Sequence, residues 1–581
     1  MKFKLALTLK ELRYRTSKRT YRPVKFLKLE SREVKKLSKR DMLVFMHLTR
    51  AAQKIDTINL KLENHRNMEF LEFLNSEIEK GNKRAVLTKK MFDSQKSMFS
   101  PDALGNQIEL AVGVPRPEGL GYFPEDLEKE EFHKILNKML DEGKVDEVQK
   151  ILNQRSIVVR DGDELKAIDF IDAFPEFKEA AKELELAKQY CDDKKFANYL
   201  ELQSKALETA DPNLDAEADK AWAEIDNSIF EWTLSRECYQ ESLTKTIFEN
   251  AELKKRLDEN NITVYAKDSL GARVGIVNKN GTKLLKKLKS LIDIAAKYMP
   301  YKDEYNSKIQ GEENKIPQTA VDVDLIALTG DEGAYRASLV LAQNLPNDDK
   351  LSLVMGGGRR NVYHRQVRQG VNKKLFKNLI CEKDYKNFNP DADHWAVICH
   401  ENTHSLGPKT SASLGKFSSI LEEFKADMGM YAFLDEFVQA GELSNEQANQ
   451  MIVTSLSFGF LKGKPELSQA HRVRSVMICN RMLTEKAIAL DETGKLVFDY
   501  EKVKQTSKQM MSEVIRLQID KDVSKAKEYV EKWFVWTNEI NQVAELIKKF
   551  SKKLNGYLEM PLAEMMLKAD FEERLNLMFA K

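Results

Sequence analysis

Trp395-Ala396-Val397-Ile398-Cys399-His400-Glu401-Asn402-Thr403-His404 is an apolar run that ends in HExxH. Residues four apart share one face of an α-helix, so His400 and His404 can reach a single divalent ion together. Glu401 then stands beside that ion, placed to take a proton from a water held there. Hydrolytic metal centres of this kind use a third protein ligand. Leu421-Glu422-Glu423-Phe424-Lys425-Ala426-Asp427 offers one on a second helical pattern, with Leu421 and Phe424 as its inward face. Either glutamate can complete the shell, and Asp427, one turn beyond Glu423, can hydrogen-bond to a ligand imidazole. The chain has only 8 histidines, so two at ligand spacing around a glutamate carry weight. Cys399 adjoins His400, but a helical neighbour points about 100° away, which assigns it to packing. The pattern as a whole predicts a metal-dependent hydrolase acting on peptide bonds.

Composition narrows the alternatives. The 581 residues are enough for two or more lobes with ample core. Lys and Arg number 93 against 91 Asp and Glu, a net charge of +2. That balance argues against a dedicated nucleic-acid binder. Five scattered cysteines (Cys191, Cys238, Cys381, Cys399, Cys479) without CxxC spacing fit free thiols in a reducing compartment. No run of about 20 apolar residues is present, so no membrane span is expected. The N-terminus lacks a small-residue cleavage site, and a cytoplasmic location is expected. The first 40 residues are strongly basic and read as a solvated arm.

Helical periodicity dominates residues 33–100, 125–153, 176–210 and 215–258, and almost everything after 395. Strand patterns are fewer. Ser156–Arg160, a turn at Asp161-Gly162-Asp163 and Leu165–Ile168 predict a hairpin. Ile262–Tyr265, Arg273–Val277, Val323–Leu328 and Leu351–Met355 are further candidates. Gly356-Gly357-Gly358 lacks the spacing of a phosphate loop and reads as a turn. The expected fold is mainly α with a smaller β component (α+β), in two lobes separated by a cleft. Residues 1–110 form a basic helical N-terminal region, 111–375 a mixed lobe with substrate-binding segments, and 376–581 a helical lobe carrying the metal.

Several segments, taken in order, resemble the dipeptidyl peptidase III family of zinc metallopeptidases, particularly its bacterial members with a five-residue zinc motif. They are Gly121-Tyr122-Phe123-Pro124-Glu125-Asp126-Leu127, the 156–167 stretch SIVVRDGDELKA, Asn344-Leu345-Pro346-Asn347-Asp348, HENTHSLGP at 400–408, LEEFKAD at 421–427, and Ala470-His471. The succession covers most of the chain from about residue 115.

The resemblance implies one Zn²⁺ per chain on His400, His404 and Glu423, with Glu423 favoured over Glu422. It implies Glu401 as general base, Asn344 and Asn347 as hydrogen-bonding partners of the substrate backbone, and His471 near the scissile carbonyl. Its oxyanion-stabilising tyrosine matches Tyr265 in Thr263-Val264-Tyr265-Ala266-Lys267-Asp268. Tyr239 in Glu237-Cys238-Tyr239 is a second candidate. With Tyr265 in that role, Thr263 stands where the family has a glutamate for the substrate's α-amino group. The expected activity is therefore zinc-dependent hydrolysis of short peptides, without an assured count of two residues from the N-terminus. A zinc-binding module of the same fold that binds peptides or a partner is the alternative.

Overall fold

The computed structural model describes residues 3–16, 27–101, 107–209, 211–237, 241–279, 282, 290–305, 318–330, 342–345, 359–364, 366, 373–408, 413–467, 469–550 and 558–579. The fold is α+β, as expected: helices dominate, and among the described residues the strands collect into one five-stranded sheet and four two-stranded pairs.

The predicted hairpin forms as β1 (Ser156–Asp161) and β2 (Glu164–Asp169), paired antiparallel from Ser156↔Asp169 to Asp161↔Glu164. The larger sheet contains β3 (Phe230–Glu237), β4 (Ser269–Val277), β5 (Gln318–Gly330), β6 (Ala342–Leu345) and β7 (Arg359–His364). Its order is β3-β4-β5-β7-β6, with β5 and β7 parallel and the other pairs antiparallel. β4 is buried along its whole length, which explains the apolar run at its centre.

Two strand readings need correction. Phe230–Glu237 falls within a stretch read as helical, yet it forms the first strand of the sheet. Its apolar side chains at 230, 232 and 234 alternate with polar ones, a two-residue period that ends too soon to stand out. Ile262–Tyr265, read as a strand, has no regular secondary structure. It is held by side-chain and backbone bonds instead: Gln149 Oε1 accepts from Thr263 N at 2.8 Å, and Leu152 O accepts from Tyr265 N at 3.2 Å. Lys267, fully buried, donates to Ile151 O, Asn153 O and Ser156 Oγ. Leu351–Met355 and Gly356–Gly358 lie outside the described residues.

Buried apolar side chains fall into three clusters. The first is organised by the sheet and by the helix Lys39–Glu63, which crosses β4 and β5 and packs on the helix Glu176–Tyr190. Lys39–Glu63 starts with a capping box, Ser38 accepting from Asp41 N while Asp41 accepts from Ser38 N. Asp56 near its far end accepts from Gly330 N at 2.8 Å, tying helix to sheet. Inside the same cluster Arg360 on β7 pairs with Glu231 on β3 at 2.9 Å, both 1 % exposed. Trp222 Nε1 and Thr233 Oγ1 donate to the other Glu231 oxygen, so this buried charge pair is fully hydrogen-bonded. A small third cluster is drawn from residues 5–114.

The second large cluster comes from the helices after residue 373, joined by Ser290–Tyr298 and by Tyr363 of β7. It is the frame in which the two motif helices meet.

Candidate metal centre

HExxH lies in the last turns of the helix Ala392–His404. Ala392, Ala396, Cys399, His400 and Thr403 are all buried, at spacings that line one helical face. The chain then turns away through Gly407, whose φ of 85° suits glycine, and Pro408. The acidic motif occupies the helix Ser418–Met428, which buries Leu421, Phe424 and Met428 against the same core.

The two helices approach closely because Gly429 follows the second one. A Cβ built there would sit 1.8 Å from Thr403 Oγ1 and 2.6 Å from Thr403 Cβ. Gly429→Ala therefore forces the helices apart, at an expected cost of about 1–3 kcal/mol. Denaturant unfolding of the variant checks this, and an unchanged midpoint would contradict it.

This approach brings His400, His404 and Glu423 together, with one ligating atom from each inside a span of 4.8 Å. His400 Nε2 and His404 Nε2 face each other at 3.1 Å. Glu423 lies 3.4 Å from the first and 3.8 Å from the second. The opposite ring nitrogens are engaged by carboxylates: His400 Nδ1 donates to Asp427 Oδ1 at 2.8 Å and His404 Nδ1 to Glu422 Oε1 at 3.0 Å. With both Nδ1 atoms carrying protons, the Nε2 lone pairs converge on one point. Two lone pairs so placed repel unless a proton or a metal cation lies between them.

The carboxylates are themselves held. Arg474 pairs with Asp427 Oδ2. Lys425, 1 % exposed, pairs with Glu422 at 2.9 Å and donates to Leu406 O at 2.7 Å, and Gln518 donates to Glu422 Oε2. Burial opposes ionisation of Glu422, but Lys425 and His404 outweigh it and hold the carboxyl at about 2. Glu423 is likewise opposed by burial, and the imidazoles of His471, His404 and His400 keep it well below the usual carboxylate range. Glu423 Oε2 is buried with no donor aligned on it, although His471 Nδ1 stands 2.9 Å away. Two converging nitrogens, an unsatisfied carboxylate oxygen and fixed Nδ1 tautomers fit a divalent ion of the zinc type.

Of the other residues singled out from the sequence, Glu401 is buried one position from His400. His471, on the helix Ala470–Thr484, reaches Glu423 with its ring 56 % exposed. Asn344 lies on β6, which among the described residues pairs with β7 alone (Asn344↔Asn361) and packs along the HExxH helix. Asn347 and Tyr239 lie outside the described residues. Tyr265 is half-buried in the irregular segment stitched to Leu152, beside the sheet-based core. Burial drives the Cys399 thiol up to about 12, in keeping with a packing role.

Sequence reasoning missed three members of this neighbourhood. Lys425 and Arg474 are buried or half-buried cations behind the carboxylates, and Tyr363 is wholly buried in the same core. The helical spacing of Lys425 from Glu422 and Arg474 from His471 was a usable signal. For Tyr363 there was none, because a strand 37 residues away in sequence brings it there.

No family model matches this chain. It is 21 % identical to Nudix hydrolase 3 of Arabidopsis thaliana over 499 residues, 80 % of this chain and 60 % of that protein, so it spans less than two thirds of this curated relative. Two solved structures share its fold. DPP III from Caldithrix abyssi aligns over 96 % of this chain and 100 % of its own, with TM-score 0.76 and 21 % identity. Dipeptidyl-peptidase III from Corallococcus sp. strain EGB aligns over 96 % and 98 %, with TM-score 0.78 and 19 % identity. At these identities the likeness establishes a dipeptidyl peptidase III-like fold. Among the described residues no helix is long and apolar enough to cross a membrane.

Proposed function

We propose that this protein is a zinc metallopeptidase acting on short peptides, with His400, His404 and Glu423 as ligands. The observation that carries the reading is the convergence of three ligating atoms whose imidazoles are both fixed from behind by carboxylates. Zinc, when bound, supplies a Lewis acid that makes water acidic and polarises a carbonyl. Glu401 takes the proton of the attacking water and returns it to the leaving amine. His471, next to Glu423 and exposed on its other side, and Tyr265 donate hydrogen bonds to the developing oxyanion.

The substrate is held as an added strand. Among the described residues β6 is an edge strand beside the HExxH helix, and an edge offers backbone donors and acceptors to an extended peptide. Asn344 and Asn347 contribute amides to that grip. In this reading the peptide lies between a mixed region, 111–375, and a helical region, 376–581, with 1–110 as a basic N-terminal part.

The counting of residues from the N-terminus is a separate matter. Thr263 is exposed and neutral, and its backbone is bonded in both directions to the neutral side chain of Gln149. An ammonium held in a partly dry cleft calls for a compensating charge. This favours the second reading, a peptide-binding zinc protein with weak or no turnover, more than any other feature does.

The test uses zinc-loaded protein, an unblocked heptapeptide and its N-acetylated twin, with products identified by mass spectrometry. We expect hydrolysis of the unblocked peptide. Dipeptide release from that peptide alone would mean that the α-amino group is read despite Thr263, and cleavage of both would mean a peptidase without N-terminal counting. Cleavage of neither, with zinc bound, would overturn the peptidase reading in favour of the binding module.

A further inference from the structure

Lys267 is fully buried, and its ammonium meets three neutral oxygens: Ile151 O at 2.7 Å, Asn153 O at 2.7 Å and Ser156 Oγ at 2.8 Å. Ser156 directs its own hydroxyl proton to Lys150 O at 2.9 Å, so all three bonds draw on the protons of Lys267. Burial pulls the ammonium down to about 7, against the opposing pull of Glu241, Asp268 and Asp169. A charge placed among neutral groups is costly, and methionine would fill the space without that cost.

What the three bonds secure is a loop. Lys267 takes the carbonyls of Ile151 and Asn153, and the carbonyl between them, Leu152 O, accepts from Tyr265 N at 3.2 Å. The next one, Gln154 O, accepts from Asp268 N at 2.9 Å. Four successive carbonyls are thus committed to residues 265–268. From the other side Tyr122 donates its hydroxyl to Asp268 O at 3.0 Å, and the ammonium stands 5.3 Å from the centroid of the Phe123 ring. Three stretches singled out in the sequence, GYFPEDL, SIVVRDGDELKA and TVYAKD, therefore meet at one buried lysine. Residues 262–268 have no regular secondary structure, so these bonds, rather than a helix or a sheet ladder, hold their backbone.

We infer that Lys267 is a positioning residue for Tyr265: its ammonium fixes the 151–154 carbonyls and, through Leu152 O, the backbone of the tyrosine. The inference rests on the oxyanion role proposed above for Tyr265. A donor to an oxyanion works only when held to a fraction of an ångström. A segment with no ladder of its own takes that constraint from its neighbours.

The experiment is a double-mutant cycle in the full-length, zinc-loaded protein: native, Lys267→Met, Tyr265→Phe and the double variant, each hydrolysing the unblocked heptapeptide. Zinc content and hydrogen exchange over 262–268 are measured alongside. Lys267→Met is expected to lower kcat by about 10- to 100-fold with little change in KM. It should speed exchange over 262–268 by about 10-fold or more and leave zinc content unchanged. In the Tyr265→Phe background it should cause little further loss, because the two residues act as one unit. An equal loss in both backgrounds would overturn the inference, since it marks a purely structural side chain. So would native kcat or native exchange in Lys267→Met. If Lys267→Met does not fold, Ser156→Ala, which removes one of the three acceptors, replaces it in the cycle. Its expected loss is about 3- to 10-fold, with the same dependence on Tyr265, and the same contrary results overturn the inference. Failure of the underlying reading is visible separately and removes the basis for this role. A native protein that binds zinc yet cleaves no peptide ends the peptidase reading, and Tyr265→Phe with native kcat ends the oxyanion role.

Discussion

Glu401→Ala is expected to lower peptide hydrolysis by about 10²- to 10⁴-fold, the range a positioned general base contributes, while zinc stays bound. Glu401 is not one of the three converging ligands, so its loss removes the proton acceptor without opening the metal shell. The substitution also deletes a buried carboxylate adjacent in sequence to the candidate ligand His400. Parallel measurement of metal content and product formation separates the two effects. An active variant would mean that another group accepts the proton, or that the native activity came from a contaminant. A variant stripped of zinc would move Glu401 from base to ligand.

Glu423→Ala has the larger expected effect on the metal itself. Glu423 contributes the only carboxylate among the three converging ligands, and it is also the group against which His471 rests. Removing it leaves two nitrogens, which hold a divalent ion far less well than a closed three-ligand set. Partners one layer further out commonly account for 10- to 100-fold in affinity, so loss of a direct ligand is expected to exceed about 100-fold. Competition with a chromophoric chelator measures it. The rise in melting temperature that zinc gives the native protein should vanish with the affinity, since a ligand stabilises only to the extent that it binds. Native-like affinity in this variant would show that the ion lies elsewhere.

How much of this was legible in the sequence depends on how local each signal is. HExxH and LEEFKAD could be read because a ligand pair or an acid pair sits within one or two turns of one helix, and helical spacing alone fixes which side chains share a face. Gly162, with φ near 64°, and the consecutive β-branched Ile157, Val158 and Val159 made the hairpin equally local. Phe230–Glu237 was hidden because three alternating apolar residues are too few to outweigh the helical pattern around them. Ile262–Tyr265 has strand-like residues, but its backbone bonds go to Leu257, Gln149 and Leu152, which no local pattern reveals. The division of labour between Glu422 and Glu423 was also beyond spacing. Both are adjacent on one turn, and only the packed geometry sends one to His404 Nδ1 and the other toward the Nε2 pair. Arg474, behind Asp427, stands 47 residues further along the chain on another helix, so its place depends on how the two helices pack.

The same distinction separates fold from function. The sheet, the helical core and the likeness to two dipeptidyl peptidase III structures come from the arrangement of the backbone. Peptide hydrolysis depends on a few side chains grafted onto that arrangement. Here the three candidate ligands converge, while Thr263, where the proposed function would want a charge for a free N-terminus, is neutral.

Anomalous diffraction at the zinc absorption edge, from crystals of the zinc-loaded protein, locates the ion itself. One strong peak per chain is expected, about 2.0–2.2 Å from His400 Nε2, His404 Nε2 and a Glu423 oxygen. A peak on other residues, or none at this site in a protein that binds zinc in solution, would contradict it.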